Sequence, residues 1–143
     1  MLTEGLTHTS ATVVTDEKTA LSMGSGNLPV FATPAMAALM ENAAMLAVAA
    51  HLPDGSTTVG GSLNIQHIKP SGVGAEIHAT AVLTAVSGRK LLFDVTAHDV
   101  NGIIGKGTHE RFVVECERFI AGLKRQYVCT KKQPQGEWGC CSE

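Results

Sequence analysis

No surplus of positive charge runs through this sequence: 11 Lys and Arg stand against 13 Asp and Glu, a net charge of −2. Nucleic acid is not expected as a partner, because nothing supplies a basic face. No apolar run is long enough to span a bilayer; the stretch Pro34 to Ala50 is short and contains Glu41 and Asn42. The opening MLTEGLTHTS lacks the basic start and apolar centre of a secretory signal. A cytoplasmic protein that does not engage membranes is therefore expected. No C-x-x-C pair occurs. Cys116, Cys129, Cys140 and Cys141 all fall in the last quarter without zinc spacing, and the adjacent Cys140 and Cys141 suit an intrachain disulfide poorly. Free thiols and no metal are expected. Charged residues are only 17% against 44% hydrophobic, so the 143 residues read as one globular domain with a core of its own.

What is present centres on FATPAMAALMENAAMLAVAA, residues 31–50. Thr33 followed by Pro34 predicts a helix start, with a hydroxyl N-cap and proline at the first helical position. Met36, Leu39, Met40, Ala43, Ala47 and Ala50 recur at helical spacing. Alanine fills most other positions, the pattern of a helix enclosed by other elements. Glu41 is the one carboxylate on that apolar rod, and a buried charge needs a partner or a task.

Before the helix, residues 7–21 are rich in Thr and Val and predict an edge strand, followed by a flexible loop from Ser22 to Pro29. After it, the period changes to alternation. Leu63, Ile65 and His67 share one strand face, and Ile77, Ala79, Ala81, Leu83 and Ala85 share the next. Ser87-Gly88 turns into a strand over 90–98, and Asn101-Gly102 marks a second hairpin into a strand over 103–115. Residues 117–126 predict a short helix. The domain is expected over 1–127, with 128–143 a polar tail. One strand, one long helix and four hairpin-linked strands make an α+β unit, a central helix wrapped by an antiparallel sheet. A single sheet leaves edges and a face uncovered, so a homodimer or a dimer of dimers is expected.

The phrases HIKPSGVGAEIHATAVL and SGRKLLFDVTAHDVNGIIGKGTHER, in this order of elements, resemble the thioesterase branch of the hot-dog fold. Within that branch the chain most resembles the fluoroacetyl-CoA thioesterase-like family, over roughly Thr7 to Gln126. The resemblance implies a catalytic set on Thr33, Glu41 and His67, with Gly60 and Arg111 binding substrate. It implies acyl-CoA as substrate, coenzyme A entering as part of it, and no separate cofactor. It also places a lid at residues 22–28, which here has two glycines and no aromatic residue and so would grip a small halogenated acyl group poorly. No Asp-x4-His pair of the hot-dog hydratase type is found.

Each residue also has a plainer role open to it. Thr33 suffices as an N-cap. Glu41 would be satisfied by an ion pair with Arg111, and Arg111 by Glu41 or Glu110. His67 points toward the core and could be a hydrogen-bonded core histidine, and Gly60 a bulge glycine. His98 and His109 read as ordinary strand residues. Thr33 and Glu41 lie eight positions apart, roughly 12 Å along a helix, so a site using both takes one from each of two chains. Chemically the set suits thioester hydrolysis. Helix-terminal N–H groups and the Thr33 hydroxyl face the oxyanion, Glu41 acts as nucleophile or base, and His67 carries the proton. A non-catalytic acyl-CoA-binding module is the rival reading.

Overall fold

The computed structural model describes residues 1–127. Strand β1 (Thr7–Val13) leads through a 3-10 turn (Asp16–Lys18) and the short helix α1 (Ala20–Met23) to the long helix α2 (Thr33–Ala49). Strands β2 (Ser56–His67), β3 (Glu76–Ser87), β4 (Lys90–Asp99) and β5 (Gly102–Glu115) come next, and helix α3 (Cys116–Tyr127) closes the described chain. All five strands form one antiparallel sheet in the order β1-β3-β4-β5-β2, which leaves β1 and β2 at the edges. Among the described residues, no helix is long and apolar enough to cross a membrane.

The α+β architecture is the expected one, and the strands predicted over 90–98 and 103–115 lie within a residue of those limits. The N-terminal segment differs. Residues 7–21 do not make one strand, because β1 ends at Val13 and the chain turns through Asp16–Lys18 into α1. The Thr19 hydroxyl accepts from the Ser22 N–H, capping α1, and Gly24 ends it at φ 77°. Local capping here overrides the Thr/Val pattern.

Helix α2 lies across the sheet. Met36, Met40, Ala43, Ala44, Ala47 and Val48 are buried against Ile77, Ala79, Ala81 and Leu83 of β3 and Leu91, Phe93, Val95 and Ala97 of β4. The facing alanines permit close approach, and Gly105 shows how close: a Cβ there would stand 2.5 Å from Met36 Sδ. Phe93 is fully buried, and its loss to alanine would cost about 3–5 kcal/mol. The helix is not enclosed all round, however. Ala50, placed on the apolar stripe by spacing alone, is exposed, as is Leu46.

Edge strand β2 runs for 12 residues, and its register on β5 slips between Gly60 and Ser62, leaving Gly61 as the extra residue of a bulge. At the far end of β4, Asp99 accepts from the Asn101 N–H and the Ser71 hydroxyl, both at 2.8 Å, which pins the Asn-Gly turn. Cys116 is a free, half-buried thiol; the expectations for Cys129, Cys140, Cys141 and the tail lie outside the described residues.

Candidate active site

The residues implied by the resemblance separate into two groups at different points along α2. Thr33 and His67 form the first. The N-cap of α2 is Ala32, with no side-chain cap bond, and Thr33 is the first helical residue. Its hydroxyl is not a cap at all: it lies 2.8 Å from His67 Nδ1. The expectation of several free N–H groups in that turn is also corrected. Pro34 has none, and those of Ala35 and Met36 both bind the Ala32 carbonyl, which leaves Thr33 to offer one.

His67 stands half-buried at the end of β2, on the face of Leu63 and Ile65, with the Phe31 ring edge-on at 6.2 Å. Burial pushes its imidazole below the ordinary value, and the Lys69 backbone nearby works the other way. Nε2 is buried without a hydrogen-bond partner. An unpartnered buried nitrogen is costly and recurs where a ligand or a reacting group completes it. Thr33, His67, Phe31, Val30, Ala20 and Ser25 line an open cavity of about 320 Å³, so the segment expected as a lid does border this site.

Glu41, Gly60 and Arg111 form the second group. A Cβ on Gly60 would stand 3.1 Å from Glu41 Oε2 and 3.7 Å from Arg111 Nη1. The ion pair considered between Glu41 and Arg111 is not formed. The guanidinium is instead taken up by Thr58, which accepts from Nε at 2.7 Å through its hydroxyl and from Nη2 at 2.9 Å through its carbonyl. Burial pulls Arg111 below its ordinary value, with the Glu41 charge opposing.

His109 belongs to this group, although its sequence context reads as that of an ordinary strand residue. It is fully buried, its Nε2 lies 3.1 Å from Arg111 Nη1, and its Nδ1 lies 2.8 Å from the Ser62 carbonyl oxygen. A signal was available: positions 109 and 111 share a strand face in GTHER. Thr58 gave none, because the bulge alone turns it inward. Among the described residues, no group of three or more His, Cys, Asp or Glu converges as metal ligands would.

A family model described as fluoroacetyl-CoA-specific thioesterase matches residues 14–117. The chain belongs to that family. The fluoroacetyl-CoA thioesterase of Streptantibioticus cattleyicolor is 39% identical over 97 residues, covering 68% of this chain and 70% of the relative. A solved structure of a fluoroacetyl-CoA thioesterase is 35% identical, with a TM-score of 0.82 over 90% of this chain and 98% of its own. A hot-dog-like protein from Thermanaerovibrio acidaminovorans is 20% identical yet reaches a TM-score of 0.80, over 87% of this chain and 93% of its own. That last likeness concerns the fold alone, and it carries the hot-dog architecture. The expected enzyme class, a thioesterase, stands with the family.

Proposed function

We propose that the protein hydrolyses an acyl-CoA thioester to the free acid and coenzyme A, at a site completed by two copies of the chain. One copy brings Thr33 and His67, the other Glu41 with Gly60 and Arg111. The observation that carries this is the division of these residues along α2: Thr33 bonds His67, while Glu41 sits two turns further along the same helix, beside Gly60. Eight residues of helix span about 12 Å, too far for one carbonyl to meet both within a chain. The long edge strand β2 carries one end of each group. Antiparallel pairing of two such edges about a two-fold axis near Leu63 and Asn64 would set Gly60 of one copy opposite His67 of the other.

In that arrangement the thioester carbonyl meets the Thr33 N–H at the positive end of the α2 dipole, where an oxyanion is stabilised. The Glu41 carboxylate drives the attack, either on the carbonyl directly or by taking a proton from water, and both courses need its charge. The C–O bond forms, the C–S bond breaks, and the leaving sulfur needs a proton. His67 Nε2 is the atom without a partner, and with Nδ1 accepting the Thr33 O–H it is Nε2 that carries hydrogen. As it gives that proton to sulfur, Nδ1 takes the Thr33 hydroxyl proton, and Thr33 regains the proton that water loses in forming the free acid; in direct attack, that water cleaves the acyl–Glu41 anhydride. No separate cofactor enters; coenzyme A arrives with the substrate.

The test is release of free thiol across a panel of acyl-CoA thioesters by the purified protein. Turnover on one class of acyl chain is expected. Tight acyl-CoA binding with no thiol released would instead make this a binding module.

A further inference from the structure

We propose that His109 is a positioning residue for Arg111: its neutral Nδ1–H tautomer holds the guanidinium toward Gly60 and Glu41, and protonation of the ring releases it. The proposal deepens the thioesterase reading and rests on Arg111 as a substrate-binding group.

The tautomer is fixed by the partners. The Ser62 carbonyl can only accept, so the His109 Nδ1 at 2.8 Å from it must carry hydrogen. Arg111 can only donate, so Nε2 at 3.1 Å must be the lone-pair nitrogen. Both ring nitrogens are thus committed, in a side chain 1% exposed. Thr58 holds Nε and Nη2 of Arg111, and His109 alone holds Nη1, the nitrogen nearest Gly60. Without His109, Nη1 has no acceptor, and the guanidinium rests on its two Thr58 bonds alone.

A proton on Nε2 would set N–H against N–H and cation against cation. The charged groups that face the ring are Arg111 and Glu110 on β5 and Glu41 on α2; β2 presents the Ser62 carbonyl and β4 the uncharged Phe93 ring at 6.2 Å. Burial is the largest influence and disfavours the charged ring, as does Arg111, while the Ser62 carbonyl, Glu41 and Glu110 favour it. The balance keeps His109 neutral to below the ordinary imidazole range, so Arg111 remains held at neutral pH. The same contact runs to the bulge: Ser62 comes directly after Gly61, and His109 ties the bulged strand to the arginine that faces it.

A core histidine that merely fills space would need none of this, and two measurements separate the roles. The first is imidazole nitrogen NMR on the full chain without substrate. The Nδ1–H tautomer and a titration below the ordinary range are expected, with Arg111→Leu moving that titration upward. An Nε2–H tautomer, or a titration indifferent to Arg111→Leu, would overturn the proposal. The second is kinetics on the acyl-CoA hydrolysed fastest. His109→Leu should raise KM about 10-fold, the scale of one hydrogen bond to a charged group, with kcat within a few-fold. His109→Gln, which restores an acceptor that does not titrate, should recover most of that loss and hold KM level through the acid range. The double variant His109→Leu with Arg111→Leu should be no worse than Arg111→Leu alone. Additive losses, or a fall confined to kcat, would remove the positioning role. If no acyl-CoA is hydrolysed, the functional reading fails while the NMR measurement still decides the tautomer and its coupling to Arg111.

Discussion

The Thr33 hydroxyl and His67 Nδ1 lie 2.8 Å apart and join the first residue of helix α2 to the last residue of edge strand β2. Helix start and strand end are thereby one chemical unit, and a threonine suited to capping is used as the partner of an imidazole.

Removing the Glu41 charge tests whether that unit works with a carboxylate. Glu41→Gln keeps shape and hydrogen bonding, so the fold and acyl-CoA binding should survive. Turnover should fall by at least ~10²-fold, the scale of general acid–base catalysis. Unchanged turnover would reduce Glu41 to a structural neighbour of Gly60 and Arg111.

The pH profile is governed by burial. His67 and His109 both sit below their ordinary value, chiefly through desolvation. A reaction that needs neutral His67 should therefore persist below about pH 6.5 and fail only further into acid. Stability carries the same sign. Well above that pH neither folded nor unfolded chain holds the extra proton, and the full stability is present. As pH drops through the unfolded value, the unfolded chain takes up protons first, and stability is lost until the depressed folded values are passed. A melting temperature that rose on acidification over this range would contradict the burial of both rings.

Gly60 has no room to spare. A methyl group there would press Glu41 Oε2 at 3.1 Å, and the backbone conformation imposes no strain of its own. Gly60→Ala should leave the melting temperature within a few degrees and cut kcat/KM by about 10-fold or more, by displacing the carboxylate. Equal losses in stability and activity would point to the strand instead of the carboxylate.

Mixing two dead parents tests the shared site. After exchange of Thr33→Val chains with Glu41→Gln chains, about half the dimers are mixed, each with one intact site in two. About a quarter of wild-type activity should return. With both residues serving a site inside one chain, every site carries a lesion and nothing returns. Sedimentation showing only monomer at micromolar concentration would exclude the shared site outright.

The fold was legible because its signals are local. Thr33-Pro34 marks the helix, the alternation from Ile77 to Leu83 and from Leu91 to Ala97 marks two strands, and Asn101-Gly102 marks a turn. The candidate residues came with the family resemblance, but their grouping was not legible. Sequence spacing separates Thr33 from Glu41, yet nothing in it says that Thr33 turns to His67 instead of capping, or that Arg111 is held by Thr58 and His109 instead of Glu41. Those pairings are long-range contacts across strands, and no periodicity within one strand encodes them.

The Gly61 bulge acts as a phase shift in the reading of β2. From Leu63 to His67 the odd positions face the helix; beyond the extra residue, the even positions Gly60 and Thr58 do. Strict alternation through all twelve residues, with no bulge at Gly61, would hold the strand in a single phase. Thr58 would then turn to the outer surface, and Arg111 would lose both acceptors it has there. One residue with no side chain and no cross-strand partner thus sets which half of β2 can build a site.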